Sequence, residues 1–410
     1  MTRQVVITGL GMITPVGKDV DSTWRAILAG TSGIRLIDEP WPEDQPAKIA
    51  GIMAVDPATC LPPHEARKLD RSQQAAVVAA REAWADAGTP EIDPDRLGAV
   101  VATGMGGLLS LIHSYDLLLE RGASRISPHM VTMIMPNGSA AHVGLEIGAR
   151  AGIHTPVSAC ASGAEAISYA ARMIQEGRAD VVVAGGTEAV IHPVTMAGFA
   201  AMRALSTRND DPASASRPYD IDRDGFVMGE GAGIMVLESA EFAAARGAKI
   251  YGVYGGSGLT SDGHHIAQPD PEGRGAARAI AEALADAGLT TTDIVHVNAH
   301  ATSTPQGDIA ESTALIAALG THTENVAVTG TKSMTGHLLG GAGAVESIFT
   351  VLTLRDRLVP PTANLHNLDP QIHLDVVAGK PRELPAGDIA ALNNSFGFGG
   401  HDVALVFRSA

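Results

Sequence analysis

The sequence predicts an α/β protein built around a parallel or mixed β-sheet. Runs typical of buried strands alternate with helical patterns along most of the 410 residues, an order that favours such a sheet. The 46 glycines stand among alanine and valine runs, and only 4% of the residues are aromatic. This composition is typical of close strand-to-helix packing and tight turns. With 45% hydrophobic residues, the chain can bury a large core, as two domains or as one large duplicated domain.

The first half begins with a strand and a glycine-containing loop, Gly9 to Gly17. The loop lacks the GxGxxG spacing of a dinucleotide-binding turn, and Pro15 would interrupt the expected helix start. Residues 31–62 are rich in Pro and Asp and predict an ordered surface excursion. Alternating patterns predict strands over residues 4–8, 97–104, 156–159 and 180–186, and helices over residues 72–87, 140–147 and 160–176.

The second half repeats this order of elements from about Lys249. A strand, a turn of small polar residues and a helix that starts with Ala or Gly occur at corresponding places, which favours an internal duplication. The predicted strands are residues 250–255, 293–298, 326–329, 389–392 and 403–407, and the predicted helices are residues 274–287, 308–319 and 341–354.

Cys160 lies where a predicted strand ends and a helix begins. The unpaired N–H groups and the positive end of the helix dipole favour the thiolate there, which is the nucleophilic form. A buried cysteine that acts as a small apolar side chain is the alternative. The chain has one other cysteine, Cys60, in an unrelated context. We therefore expect reduced thiols, no disulfide and a cytoplasmic protein.

Three further polar turns carry groups suited to catalysis. His300 directly follows a predicted strand, Lys332 and His337 share one glycine-rich loop, and residues 393–402 form a glycine-rich turn whose N–H groups could face an oxyanion. A lone histidine or a Gly/Ser/Thr loop is usually structural. Two histidines and a lysine at the carboxyl ends of strands, however, indicate a site, because α/β sheets bind ligands there.

Charge and hydropathy exclude two classes of partner. The formal net charge of −16 argues against general nucleic-acid binding. No apolar run has the length needed to span a bilayer, so we expect no membrane association. An acidic partner would need a local basic patch.

Five stretches resemble, in order, the motif set of β-ketoacyl-acyl-carrier-protein synthases. The resemblance covers essentially the whole chain and is closest to the elongating enzymes of type II fatty-acid synthesis. It implies a thiolase-like fold, in which two similar βαβαβαββ-type halves form a five-layered αβαβα sandwich, and a homodimer. The stretches are SACASGAEA, RPYDIDRDGFVMGEGAGIMVLE, NAHATSTPQGD, TGTKSMTGHLLGGAGAVE and NNSFGFGGHD.

The resemblance also implies domain limits and roles. Residues 1–410 form a single ketosynthase domain, with residues 1–248 as the half that carries the cysteine and residues 249–410 as the half that carries His, His and Lys. The acyl chain and malonyl unit arrive on acyl carrier protein through its phosphopantetheine arm, and we expect no other cofactor and no metal. The implied catalytic residues are Cys160, His300, His337, Lys332 and Glu346; the oxyanion hole is formed by the N–H groups of Cys160 and Phe398, and Phe398 is also the gate.

The implied substrate and carrier contacts are less specific. For the methionines among them the alternative is an ordinary core position, and for the basic residues it is a solvated surface position. Candidates for pantetheine and acyl binding are Thr302, Thr304, Phe396, Met105, Met130 and Met133, and candidates for carrier docking are Arg67, Lys68, Arg71, Arg203 and Arg208.

Two departures from the family pattern concern substrate preference and subfamily. Ala301 stands where many relatives have Gly, and His401-Asp402 stands where Thr-Asn is common. A discrete ketosynthase of a polyketide or specialised-lipid pathway therefore remains an alternative to fatty-acid elongation.

Three other classes of protein do not fit the sequence. A papain-like protease would carry a CG[SA]C[WY] signature, a degradative thiolase would carry a second cysteine near its C-terminus, and a non-catalytic partner subunit would lack Cys160. The sequence has no such signature and no cysteine after Cys160, and it does contain Cys160.

Overall fold

The computed structural model describes residues 3–38 and 41–410, and no helix in these ranges is long and apolar enough to cross a membrane. The strands are β1 (Val5–Ile13), β2 (Arg35–Leu36), β3 (Ile49–Ala50), β4 (Leu97–Ala102), β5 (Gly152–His154), β6 (Val181–Glu188), β7 (Gly231–Ser239), β8 (Gly252–Ser261), β9 (Ile294–Asn298), β10 (Ala327–Thr329), β11 (Leu358–Val359), β12 (Asp375–Val376), β13 (Arg382–Glu383), β14 (Ala390–Gly397) and β15 (His401–Arg408). The helices are α1 (Val20–Leu28), α2 (Pro63–Ala66), α3 (Arg71–Asp86), α4 (Leu108–Arg121), α5 (Met130–Ile134), α6 (Gly138–Ile147), α7 (Ser162–Gln175), α8 (Pro193–Ala201), α9 (Ala240–Ala245), α10 (Arg274–Ala287), α11 (Pro305–Leu319), α12 (Lys332–Thr335) and α13 (Ala342–Asp356).

The main sheet has two corresponding halves. In the first, the strand order is β5-β4-β6-β7-β1, with parallel pairs up to β6 and antiparallel pairs after it. In the second, the order β12-β10-β9-β14-β15-β8 follows the same rule, parallel up to β14 and antiparallel after it. The halves join where the first residues of β1 pair with β8. The same strand pattern thus occurs twice, as the sequence predicted.

Alternating strand residues divide the core into layers. On β6, Val182 and Ala184 face a core shared with α7 and α13, whereas Val181 and Val183 face a second core shared with α3 and α6. In the other half, Leu405 of β15 faces the shared core, and its neighbours on the strand face α10 and α11. Because each strand residue points to the opposite face from the next, the result is the sandwich αβαβα.

The central helices α7 and α13 position the site. The two helices approach closely at Gly163, where a Cβ would lie 2.8 Å from the backbone nitrogen of Ala344, so the approach requires glycine. Residues 342–354 of α13 are buried throughout. The turns that precede both helices therefore meet inside the molecule.

Most predicted elements are present with boundaries shifted by a few residues, but one strand prediction is wrong. Residues 156–159 do not form a strand; β5 lies earlier, and a 3₁₀ turn, Ala159–Ala161, precedes α7. Pro156 has no N–H to donate to a ladder, and Ala159 has a left-handed φ of 50°. The surface excursion of residues 31–62 contains β2 and β3, although residues 39 and 40 lie outside the described chain. The limit between residues 248 and 249 stays a prediction.

Candidate active site

A cavity of about 580 Å³ lies where the turns of the two halves meet. Cys160 from the first half lines it together with His300 and His337 from the second half. The wall also contains Phe396 and Phe398 from the end of β14 and the turn after it. The three turns that carry Cys160, His300 and His337 thus share one cavity with the glycine-rich turn of residues 393–402.

Each of the three turns contains a strained backbone residue. Ala159, Ala301 and Leu339 have φ values of 50°, 37° and 46°. L-residues seldom adopt this conformation, and it persists only where the surroundings enforce it. Since each of these residues lies within two positions of Cys160, His300 or His337, the turns that aim those side chains all carry backbone strain.

The turn that carries Cys160 is held by local hydrogen bonds and by the other half of the protein. The Ser162 hydroxyl donates to the Ala159 carbonyl at 2.6 Å, and the Ser158 N–H donates to the same hydroxyl at 3.0 Å. Gly397, the last residue of β14, packs so closely that a Cβ there would collide with the Ser158 carbonyl. The last strands of the chain therefore close over the cysteine.

The cysteine is a thiol at neutral pH. Burial raises the pKa of the Cys160 thiol to about 12, while the charge of Lys332 and the N–H groups of Phe398 and Cys160 favour the thiolate. The local N–H groups thus favour the thiolate, as the sequence predicted, but burial has the larger effect. Attack on a substrate requires that the thiol lose its proton in the same step.

His300 lies beside a buried ion pair. The ammonium of Lys332 is 2.5 Å from Oε1 of Glu346 and 3.5 Å from Nδ1 of His300. Burial lowers the pKa of His300 well below its usual range, and the charge of Lys332 lowers it further. Lysine can only donate, so this contact leaves Nδ1 as the acceptor and the proton on Nε2. His300 is thus a neutral imidazole with an Nε2–H donor.

His337 is a second neutral imidazole. Burial lowers its pKa well below the usual range, and Lys332 adds to the effect. The rings of His300 and His337 are 5.3 Å apart between centroids, and the edge of Phe226 packs against His337 at 5.4 Å. Its Nδ1 has no hydrogen-bond partner among the described residues. Two neutral imidazoles can each offer one N–H to the same oxygen.

Two buried carboxylates hold these turns in place, and the sequence analysis missed both. Glu311 accepts the backbone N–H groups of His300 and Ala301 at 2.8 and 2.7 Å. Glu188 accepts from the N–H groups of Gly104 and Gly340 at 2.8 and 3.2 Å. Burial raises the pKa of Glu188 to about 7. Glu188 is 84 and 152 residues from the two N–H groups that it accepts, and Glu311 lies inside a helix 10 and 11 residues from its own, so no local motif marks either carboxylate.

The remaining predicted contacts divide between the cavity and other surfaces. Thr302 and Thr304 line the cavity, with their hydroxyls 2.9 Å apart. Phe396 lies 5.5 Å from His300 between ring centroids, and Phe398 is 37% exposed and 6.4 Å from Phe199. Phe199 was not predicted. Together these side chains form a polar wall and an aromatic wall.

The three methionines do not reach this cavity. Met105 is largely exposed, and its N–H is fixed by Glu188 at 3.3 Å. Met133 borders a second cavity of about 380 Å³ beneath α4, and Met130 lies on the half-buried part of α5. Because none of the three lines the main cavity, the acyl-tunnel assignment of Met105, Met130 and Met133 stays a prediction.

The five basic residues lie in different settings. Arg203 lines the main cavity, whereas Arg67 and Arg71 line the second one. Arg71 is already paired with Glu230 at 2.5 Å and with Asp56 at 2.8 Å. Arg208 donates to the Asp222 carbonyl at 3.1 Å, and Lys68 is exposed. Arg71 is thus held in ion pairs, whereas Arg67, Lys68, Arg203 and Arg208 have no carboxylate partner among the described residues; Arg67 and Arg208 each donate to a backbone carbonyl.

Family models decide the relationship of this chain to known proteins. The model of the beta-ketoacyl synthase N-terminal domain matches residues 2–243, and that of the beta-ketoacyl synthase C-terminal domain matches residues 251–366. The chain belongs to the beta-ketoacyl synthase family. The resemblance found in the sequence is thereby confirmed.

Relatives and solved structures extend this result. The chain is 50% identical over 406 residues to 3-oxoacyl-[acyl-carrier-protein] synthase 2 of Mycobacterium tuberculosis, covering 98% of this chain and 96% of that one. It is 47% identical over 409 residues to the protein of the same name from Synechocystis, covering 99% and 98%. A beta-ketoacyl synthase from Burkholderia phymatum superposes with a TM-score of 0.90 at 36% identity, with both chains fully covered.

A fourth likeness is to a carrier complex. The ketosynthase of a type II polyketide system, solved with its acyl-carrier protein and bound to the hexaketide, superposes with a TM-score of 0.93 at 31% identity, with both chains fully covered. These likenesses confirm the predicted thiolase-like fold. Among the described residues, no group of three or more His, Cys, Asp and Glu side chains could hold a metal ion.

Proposed function

We propose that this beta-ketoacyl synthase catalyses the elongation step of type II fatty-acid synthesis, the decarboxylative condensation of an acyl group with malonyl-acyl carrier protein. The observation that carries the proposal is the convergence of one thiol and two neutral imidazoles on a single cavity, with a buried ammonium behind them. The names of the relatives that are 47–50% identical support the same reaction.

The first step moves an acyl group from the carrier to the enzyme. The Cys160 sulfur attacks the thioester carbon, the carrier thiol leaves with a proton, and acyl-Cys160 remains. A neutral histidine in the cavity is suited to relay the proton, because it can accept at one nitrogen and donate at the other. The N–H groups of Cys160 and Phe398, which face the sulfur, are suited to hold the oxyanion.

The second step needs donors and not bases. When malonyl-carrier loses CO2, the electron pair of the broken carbon–carbon bond forms an enolate whose oxygen gains negative charge. The Nε2–H of His300 and an N–H of His337 can both donate to it. The enolate carbon then attacks the acyl-Cys160 carbonyl, the thioester breaks, and the departing Cys160 thiolate takes up a proton from solvent. The products are 3-oxoacyl-carrier and CO2.

Lys332 and Glu346 support these donors without transferring protons. The ammonium of Lys332 fixes the tautomer of His300, and the buried carboxylate of Glu346 is the counter-charge of that ammonium. Thr302 and Thr304 are suited to bind the phosphopantetheine arm through their hydroxyls. Phe398 is suited to gate the cavity, since glycines on both sides allow the turn to move. No other cofactor enters this scheme.

Two partners follow from this proposal. The first is acyl carrier protein; the type II polyketide ketosynthase of 31% identity was solved with one. The second is another copy of this chain. Helix α4 and its surroundings expose several apolar side chains, and an exposed apolar patch of this kind marks an interaction site. The exposed set is Leu111, Tyr115, Leu118, Leu119 and Val131.

A polyketide or specialised-lipid pathway is the second candidate. The close structural similarity to the solved type II polyketide ketosynthase, with a TM-score of 0.93, favours this candidate. The higher identity to the 3-oxoacyl-[acyl-carrier-protein] synthases favours fatty-acid elongation.

Intact-mass spectrometry of the protein after incubation with acyl-carriers of graded length tests the proposal. The wild type should gain one acyl mass, and Cys160→Ala should gain none. Cys160→Gln, a neutral occupant that resembles the acylated state, should still release CO2 from malonyl-carrier. The matched control is Cys60→Ala, which alters the exposed second cysteine and should behave as the wild type. Condensation by Cys160→Ala would overturn the assignment of the nucleophile.

A further inference from the structure

The turn that carries Phe398 is tied to the segment after β8. The N–H of Gly399 donates to the Ile266 carbonyl at 2.7 Å, and the N–H of Asp262 donates to the Gly400 carbonyl at 2.9 Å. Residues 262–270 therefore help to set the position of Phe398, whose own N–H faces the Cys160 sulfur.

Two carboxyl groups meet beside these ties. Asp402 on β15 is 3% exposed, and Asp262 follows the last residue of β8; both line the main cavity. A Cβ at Gly275 would collide with Oδ2 of Asp402 and approach Oδ1 of Asp262 at 2.5 Å. Both carboxyls thus crowd the same space above the first turn of α10.

The hydrogen bonding around the pair is incomplete on one side. Oδ2 of Asp262 accepts the N–H of Asp270 at 3.0 Å. Oδ2 of Asp402 is buried and has no hydrogen-bond partner among the described residues. A buried carboxylate without a donor is costly, whereas a carboxylic acid can itself donate. The geometry therefore calls for a proton between Asp402 and Asp262.

The charges nearby are consistent with one shared proton. Burial and, next to it, the neighbouring Asp262 raise the pKa of Asp402 to about 8, while Arg278 of α10 and the Thr260 hydroxyl act in the opposite direction. The other titratable groups around the pair are Asp270, which is paired with Arg274 at 2.7 Å, His265, which accepts two backbone N–H groups, and the exposed His401.

We propose that Asp402 is a positioning residue that, as the neutral acid, donates a hydrogen bond to Asp262 and so holds the Phe398 turn against residues 262–270. When Asp402 ionises, the donor is lost and two adjacent negative charges repel, so the turn is released. Relatives with asparagine at this position would keep a donor at any pH. The inference deepens the proposed function, because it concerns the gate of the same cavity.

The direction of the pH effect follows from proton linkage. A carboxyl whose folded pKa is raised from 3.8 to about 8 contributes stability at low pH that is lost as the pH rises through 8. One unit above that value, about a tenfold smaller share of molecules retains the proton. The turn should therefore be held at pH 6.5 and largely released at pH 9.

Hydrogen exchange of the peptide that spans residues 396–402, corrected for the chemical exchange rate at each pH, tests the proposal without any substrate. Protection of the wild type should fall about tenfold between pH 6.5 and pH 9. Protection of Asp402→Asn should be the same at both values, because the amide donates at either pH. Asp262→Asn should also lose the pH dependence, and it provides an independent variant if Asp402→Asn fails to fold.

The control variant is Asp388→Asn, which alters an exposed aspartate just before β14 and should retain the wild-type response. Equal wild-type protection at both pH values would overturn the proposal, as would an equal fall in Asp402→Asn. In active protein, kcat/KM for acyl-carrier should decline above pH 8 only when both aspartates are present. Since exchange is read without turnover, a failure of this proposal is distinguishable from a failure of the proposed reaction.

Discussion

The ammonium group of Lys332 lies 2.5 Å from Oε1 of Glu346, and the two side chains are only 1% and 3% exposed. Oε2 of Glu346 has no partner among the described residues, so Lys332 is the main counter-charge of this carboxylate. Burial raises the pKa of Glu346 to about 7 even with the lysine present. Lys332 therefore favours the ionised carboxylate, against the effect of burial.

Removing one partner of this pair should be costly. Lys332→Ala should lower the free energy of unfolding by about 3–5 kcal/mol, because it leaves a buried carboxylate unpaired. The cost should grow with pH above 7, by up to about 1.4 kcal/mol per unit, since Glu346 must then keep a proton that the unfolded chain releases. Urea unfolding at pH 7 and pH 9 measures both effects.

The matched control for Lys332→Ala is Arg382→Ala, which breaks an exposed ion pair with Asp375. It should cost no more than about 1 kcal/mol. Equal costs for the two variants would show that the Lys332 pair behaves as a surface pair.

The histidine variants should separate the two half-reactions. His300→Ala and His337→Ala should still form acyl-Cys160 but lose decarboxylation of malonyl-carrier, by about 10²–10⁴-fold, because each removes a donor to the enolate oxygen. Release of labelled CO2 and intact mass measure the two steps. His373→Ala, at an exposed histidine, is the control. Normal CO2 release by either site variant would remove that histidine from the role.

The turns of this site were predictable from the sequence because each has a local signal. Cys160, His300 and His337 all follow a strand pattern or a glycine-rich loop and precede a helix pattern. Glu188 and Glu311 have no such signal, since a carboxylate inside a strand or helix is normally solvated and only the fold brings N–H donors to it.

The secondary structure differs from the prediction at α4 and before Cys160. Helix α4 was not predicted, although its apolar residues recur at helical spacing; none of them is fully buried. The strand expected at residues 156–159 failed for a local reason, since a proline and a left-handed alanine break the ladder.

Ala301 carries strain that glycine would relieve. Its φ of 37° is unfavourable for alanine but accessible to glycine. Ala301→Gly should therefore raise the free energy of unfolding by about 1 kcal/mol. Ala299→Gly, at the neighbouring buried alanine without a positive φ, should lower it, by about 0.5–1 kcal/mol. Thermal unfolding of the two variants side by side checks this, and a loss of stability in both would contradict it.

Carrier docking should depend on the free basic side chains. This chain has a net charge of −16, so it and an acidic carrier repel each other at long range. A local positive patch must therefore guide their encounter. Reversing Arg67 and Lys68, two exposed residues outside the main cavity, to Glu should raise KM for acyl-carrier several-fold and weaken its salt dependence.

The same double variant should leave turnover of a small acyl-pantetheine nearly unchanged, because rim charges act mainly on encounter. Arg382→Glu, at another exposed arginine, is the control. Equal losses with carrier-bound and carrier-free substrates would move the docking surface elsewhere.

The packing of Gly397 against the Ser158–Cys160 turn has a consequence for the protein during its synthesis. The cysteine leaves the ribosome long before the strands that close over it, and domains begin to fold while the chain is still growing. β14 inserts between β9 and β15, so the cavity cannot form until almost the last residue has been made. A nascent or prematurely terminated chain would therefore carry the thiol but no condensing activity, and unfinished molecules could not consume acyl chains.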